Sequence, residues 1–147
     1  MPRIDVPQWI PVSGMADGEV LPAIGKRVIT APYDGDEIAV VDDNGAEAVD
    51  LAVATARRAL AVAPPSQAER AQVLDRAAAL VTQRGAVLAT IIAAEAGKPI
   101  RQARGEVARC VDTLGFSAAA ARTLAGEVIP MDASQSGVDM VGYTVRE

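Results

Sequence analysis

The chain has 147 residues, 50% of them hydrophobic and only 3% aromatic, with a net charge of −5 and a pI near 4.7. That length can bury one real core, and the acidic balance excludes nucleic acid as a natural partner, because phosphates need a basic face. With no histidine and one cysteine, zinc sites, His-dependent catalysis and an internal disulfide are excluded, and a reducing cytoplasm is the expected compartment.

The opening stretch MPRIDVPQWIPVSGMADGEV is broken by three prolines and has no signal-peptide run. No later stretch approaches the roughly 18 apolar residues of a membrane span. Residues 1–45 read as extended and turn-rich. A short strand is expected at Gln8–Val12, a loop at Gly14–Gly18, a strand at Arg27–Thr30 and another at Glu37–Val41. Pro32 to Gly35 (PYDG) has turn chemistry between the last two. Asp42 to Gly45 should end the ribbon, which needs a surface to lie on, since a lone pair of strands is marginal.

Residues 46–62 predict a helix with Val49, Ala52, Val53, Ala56, Ala59 and Leu60 on one face, stopped by Pro64 and Pro65. Ser66-Gln67-Ala68-Glu69 is a capping box. It launches a helix whose inward residues are Val73, Leu74, Ala77, Leu80 and Val81. Arg84-Gly85 marks a break, and a shorter helix carrying Val87, Leu88, Ile91 and Ile92 follows and ends at Gly97. From Pro99 to Gly126 the chain predicts one long helix of about 27 residues, roughly 40 Å at 1.5 Å per residue. Its apolar seam is Ile100, Ala103, Val107, Cys110, Leu114, Ser117 or Ala118, Ala121 and Leu124. After Gly126, EVIPMD reads as a short strand or connector and ASQSG as a loop. Met140 to Glu147 alternates like a strand. A strand at an open chain end invites pairing with another chain: either it completes another sheet or the polypeptide continues beyond Glu147.

No catalytic constellation emerges from the residues. Asp34/Asp36/Glu37 and Asp42/Asp43 read as solvated loop acids, and the spaced pattern of a calcium loop is missing. Cys110 lies in the predicted seam without a histidine to activate it, so a small buried cysteine is the expectation. No GxGxxG or P-loop is present. Lys98, Arg101 and Arg104 could hold an anion, but a solvated first turn accounts for them better. Trp9 and Tyr143 read as single anchors.

Several motifs follow one another in a fixed order. They are Pro32-x-x-Gly35-Asp36-x-Ile38-Ala39, the AVATARRAL helix, Glu69-Arg70-Ala71, Glu95-Ala96-Gly97-Lys98-Pro99, Gly126-Glu127-x-x-Pro130 and Gly142-Tyr143-Thr144-x-Arg146-Glu147. Together, from about Gln8 to Glu147, the chain resembles the N-terminal part of NAD(P)-dependent aldehyde dehydrogenases. The resemblance implies an α/β family fold, of which this segment is the mainly α part with peripheral antiparallel β ribbons. It also implies an N-terminal β ribbon over 1–45, a four-helix part of the cofactor-binding domain over 46–126 and the start of an oligomerisation β-arm over 127–147.

The family's nicotinamide-binding unit, general-base Glu and nucleophilic Cys lie beyond these residues. The resemblance therefore implies no catalytic and no cofactor-binding residue here, and Cys110 does not take the nucleophile's role. It matches Glu95 to a position that helps hold a structural monovalent cation in some relatives, whereas the residues alone favour a helix-end carboxylate. The Trp-free junction VAPPSQ resembles the branch acting on lactaldehyde, semialdehydes or phosphorylated glyceraldehyde. The expected role is scaffold and oligomerisation part of an enzyme that uses NAD or NADP, with no turnover and no cofactor binding by the chain alone. Its partners would be further subunits or the remaining part of the enzyme, met through Met140, Val141, Tyr143 and Val145. The alternatives are a free-standing helical interaction module that pairs with full-length subunits through the same strand, and an independent α-rich domain.

Overall fold

The structure is a computed structural model and describes residues 12–145. The expected Gln8–Val12 strand and Trp9 fall outside those residues, except Val12, whose carbonyl accepts the Asp42 N–H at 2.8 Å. The stretch expected to be a loop after Gly14 is a small hairpin, β1 (Met15–Ala16) against β2 (Glu19–Val20). Asp17 (φ 53°) and Gly18 (φ 78°) form its two-residue turn. Consecutive positive φ values match the twist of a tight hairpin, and a short polar Asp tolerates one of them.

The second hairpin pairs β3 (Gly25–Thr30) with β4 (Glu37–Asp43) in antiparallel register, Val28 opposite Val40. The strand β4 runs past its expected end at Val41. Lys26 Nζ meets the Asp42 carboxylate at 3.0 Å and an Arg27 nitrogen meets Asp43 at 3.0 Å, so opposite charges extend the ladder. Asp42 and Asp43 are therefore strand residues with cationic partners, not free loop acids. Ala31, just after β3, and Ile38 of β4 form a buried cluster with Ala94 of the third helix, and the partly buried Ile29 and Ala39 pack against it.

Four helices follow: α1 (Ala46–Val62), α2 (Gln67–Gln83), α3 (Gly85–Ala96) and α4 (Ile100–Arg122). The capping box forms at the start of α2. The Ser66 hydroxyl accepts the Glu69 N–H at 3.2 Å, and the Glu69 carboxylate accepts the Ser66 N–H at 2.8 Å. Between α2 and α3 the chain bends by 77° at Arg84. At its far end α3 stops on Gly97, whose φ of 61° is left-handed; a side chain there would be strained, and its Cβ would lie 2.8 Å from Pro32 Cγ.

The helix α4 packs along both α2 and α3. It is shorter than expected, 23 residues or about 35 Å. Pro99 is its N-cap and Thr123 its C-cap, where the Thr123 hydroxyl turns back to the Ala119 carbonyl at 3.3 Å. Its seam runs through Ala103, Val107, Val111, Leu114, Ala118 and Ala121. The step after Val107 is four residues rather than three, so Val111 occupies the place expected for Cys110 and Cys110 is exposed.

Ala89, Ala103 and Val107 form the centre of the helical core, with Val81, Leu88 and Ile92 against it. Ala71, Ala89, Ala103 and Ala118 have no accessible surface. Residues this small let helix axes approach closely, and they set the shape of the core. Other apolar faces also differ from expectation: Val87 of α3 is exposed, as are Ile100 and Leu124 of the expected α4 seam. In α2, Ala71, Leu74, Ala77 and Val81 turn in while Val73 and Leu80 are exposed. In α1 the buried residue is Ala48, and Val49, Val53 and Leu60 are exposed. This helix leans on β1 rather than on its sister helices, so its small residues make the contact and its large ones face outward.

Candidate functional site

The chain after α4 forms a compact ribbon. Val128–Ile129 (β5) pairs antiparallel with Gly142–Tyr143 (β6), with Val128 opposite Tyr143 and Ile129 opposite Gly142. Two single-turn helices, Met131–Ala133 and Gln135–Gly137, connect them. The strand expected over Met140 to Glu147 is thus regular only at Gly142–Tyr143, and within the described residues it pairs with its own chain. Two hydrogen bonds lock the base of the ribbon. The Thr144 N–H donates to the Glu127 carbonyl at 2.9 Å, and the Glu127 N–H donates to the Thr144 hydroxyl at 2.9 Å.

Gly126, expected to close α4, lies beyond the helix and has a different task. A Cβ there would lie 1.7 Å from the Thr144 carbonyl oxygen. Only a residue without a side chain lets the two strands meet at this point. The Gly126-Glu127 and Gly142-Tyr143-Thr144 motifs are legible in sequence, but their mutual contact is not.

The outer surface of the ribbon is apolar. Val128 is 80% exposed, Val141 83%, Tyr143 69%, Val145 70% and Met140 59%. All four residues expected to meet a partner are among these. Tyr143 is therefore not anchored in a core. Such a patch on a ribbon with open edges is suited to covering by another polypeptide.

The described residues bring few titratable groups together. Lys98 Nζ donates to the Glu106 carboxylate at 2.8 Å, tying the turn after α3 to α4. That hydrogen bond, with the charges of Lys98 and Arg109 behind it, holds Glu106 below the usual carboxylate range. Glu95 is exposed in the last turn of α3, and no group of three or more His, Cys, Asp or Glu side chains converges among the described residues. Arg101 and Arg104 are exposed on the first turns of α4. An open groove of about 530 Å³ beside the 77° bend is lined by Gly85, Ala86, Val107 and Val111, with Arg104 and Asp112 as its charged members. Cys110 sits on the outer side of α4 with no histidine in the chain to take its proton. Among the described residues no single helix is long and apolar enough to cross a membrane.

The described residues form a helical layer edged by antiparallel hairpins, with an outward apolar ribbon. Comparison with known proteins identifies it: the family model described as "Aldehyde dehydrogenase family" matches residues 23–147, and the chain belongs to that family. It is 38% identical over 119 residues to aspartate-semialdehyde dehydrogenase 1 of Pseudomonas canavaninivorans, covering 79% of this chain and 25% of that protein. It is 40% identical over 98 residues to 3-sulfolactaldehyde dehydrogenase of Priestia aryabhattai, covering 67% of this chain and 20% of the relative. The crystal structure of NAD-dependent aldehyde dehydrogenase from Sinorhizobium meliloti superposes with a TM-score of 0.73 at 34% identity, over 78% of this chain and 24% of that one. The chain therefore spans about a quarter of the length of the relatives it matches, and its mainly helical build with small antiparallel sheets is a segment of the aldehyde dehydrogenase fold.

Proposed function

We propose that this chain is the scaffold and subunit-contact part of an NAD(P)-dependent aldehyde dehydrogenase, the enzyme class that converts an aldehyde, NAD(P) and water into a carboxylic acid. The observation that carries the reading is the apolar ribbon: Val128, Val141, Tyr143 and Val145 are held outward by strands that a double hydrogen bond fixes at Glu127 and Thr144. A surface of this kind gains free energy only when another polypeptide covers it. The reaction needs a thiol nucleophile, a base and a dinucleotide site, and this chain's one thiol is on an exposed helix face.

NAD or NADP supplies hydride acceptance when bound to the complete family enzyme. The Gly-rich turn between strand and helix that cradles the pyrophosphate in dinucleotide folds is not present in the sequence. The residues present do not fit the cofactor, and no step runs through them. In this reading Glu95 is one contributor to a structural monovalent-cation site, and no group of three or more His, Cys, Asp or Glu side chains includes it among the described residues. The substrate class is an aldehyde that also carries an anionic group, a reading supported by the aspartate semialdehyde and sulfolactaldehyde in the names of the two relatives. The compartment is the cytoplasm.

A second reading, favoured by the same ribbon, is a free-standing module that pairs with full-length subunits. Size-exclusion chromatography of the chain mixed with a complete homologue tests the contact common to both. A hetero-complex that Tyr143→Lys abolishes supports the ribbon as the contact. No complex at concentrations where the homologue is assembled contradicts it.

A further inference from the structure

We propose that Gln67 is a positioning residue for the ribbon: its side chain clamps the link between α4 and β5 to the first turn of α2 and so sets the direction in which the ribbon meets its partner. The proposal rests on the ribbon being the subunit contact and adds what aims it. Gln67 is the first residue of α2, and its Nε2 donates to the Leu124 carbonyl, 57 residues along the chain. The α2 cap is made by Ser66 and Glu69, so the Gln67 side chain serves the link instead.

The bond sits between two fixed points. On one side α4 ends at Arg122, whose guanidinium meets the Asp75 carboxylate of α2. On the other, the ribbon base is held at Glu127 and Thr144. Leu124, Ala125 and Gly126 between them belong to no helix or strand, and a change in a few backbone angles there would swing the whole ribbon. A cleft of about 440 Å³ opens at this place, with Gln67 and Arg70 from α2 and Gly126, Thr144 and Val145 from the ribbon base among its walls. The acceptor is a main-chain carbonyl, so the clamp needs an N–H at the end of the side chain, which a carboxylate does not offer. Without the clamp only a fraction of chains would hold the ribbon in the binding direction, and apparent affinity falls by that fraction, about threefold to tenfold for one hydrogen bond.

Two spin labels read the direction, one at Ala79→Cys on α2 and one at Gln135→Cys on the ribbon, both exposed positions, in the full 147-residue chain carrying Cys110→Ser. The chain with Gln67 and the variant Gln67→Lys should give a narrow distance distribution, and Gln67→Leu and Gln67→Glu a broad one. Helix stability alone predicts the opposite order for the two charged variants, since the first turn of a helix favours an acid and disfavours a base. Unlabelled, the Leu and Glu variants should bind a complete homologue about threefold to tenfold more weakly than the parent, and the Lys variant should recover. A Leu or Glu variant as narrow as the parent, a Lys variant that stays broad, or a broadened ribbon that binds as tightly as the parent would each overturn the proposal. A parent that forms no complex overturns the ribbon as the contact and this proposal with it, whereas a parent and three variants that all bind equally overturn this proposal alone.

Discussion

The Thr144 carbonyl oxygen occupies the space in which a side chain at Gly126 would begin, 1.7 Å from the Cβ position. Two segments separated by the whole ribbon are thereby in backbone contact, and the outward apolar patch depends on that contact. Gly126→Ala should push the strands apart and cost about 1–3 kcal/mol. Hydrogen exchange is the direct check. The Thr144 amide, bonded to the Glu127 carbonyl, should lose protection while amides in the middle of α4 keep theirs. Equal protection in variant and parent would mean that the strands do not meet as described.

At Gly97 the penalty has two sources, the left-handed φ of 61° and the Pro32 ring 2.8 Å from the place a methyl group would take. Gly97→Ala is expected to destabilise by about 1–2 kcal/mol. Gly115 is the contrasting case, because it lies inside α4 with nothing within 4 Å of its Cβ position. Gly115→Ala should stabilise by about 0.5–1 kcal/mol. Opposite signs in denaturant melts are the expected outcome.

The alanine contacts of the helical core predict a cost for volume. Ala103 has no accessible surface and packs with Ala89 and Val107. Ala103→Leu should force α3 and α4 apart and cost about 1–3 kcal/mol. Ala119→Leu, at an exposed position of the same helix, should be within about 0.5 kcal/mol of neutral. Thermal melts that fail to separate the two would contradict the packing.

Acid should destabilise the fold, and the sign follows from three carboxyls. Glu106 is held low by the Lys98 hydrogen bond, Asp42 by the Ser13 hydroxyl and then Lys26, and Glu69 by the Ser66 backbone and then its side chain. A carboxyl with a depressed folded-state pKa contributes stability that is fully present above its unfolded value, about 4 for Asp and Glu. That contribution is lost as pH falls through the folded value. The melting temperature should be level from about pH 7 to 5 and drop below about pH 4. Lys98→Met should shallow the drop, and a melting temperature that rises on acidification would contradict the assignment.

Local signals in the sequence are legible where one residue decides the backbone. The Ser66–Glu69 box, the left-handed Gly97 and the break at Arg84 each place a helix end. Faces are harder to read, because partners decide them. After Val107, both Cys110 and Val111 continue a helical stripe, and only the course of α2 and α3 against α4 selects Val111. The large residues of α1 suggest an inward face, yet this helix rests on β1 through small ones. The Asp17-Gly18 turn is hidden in sequence because strands of two residues leave almost no alternating pattern. For the candidate site, the outward residues of the ribbon are legible from their alternation. The contact between Gly126 and Thr144 is not, since nothing local in a sequence records that distant backbones touch.

A scaffold and contact role, rather than chemistry, is tested most directly by following NAD(P)H absorbance with the purified 147-residue chain, an anionic semialdehyde and either NAD or NADP in excess. No rate above the protein-free control is the result expected of such a role. Saturable, aldehyde-dependent NAD(P)H formation that persists through further purification would contradict it.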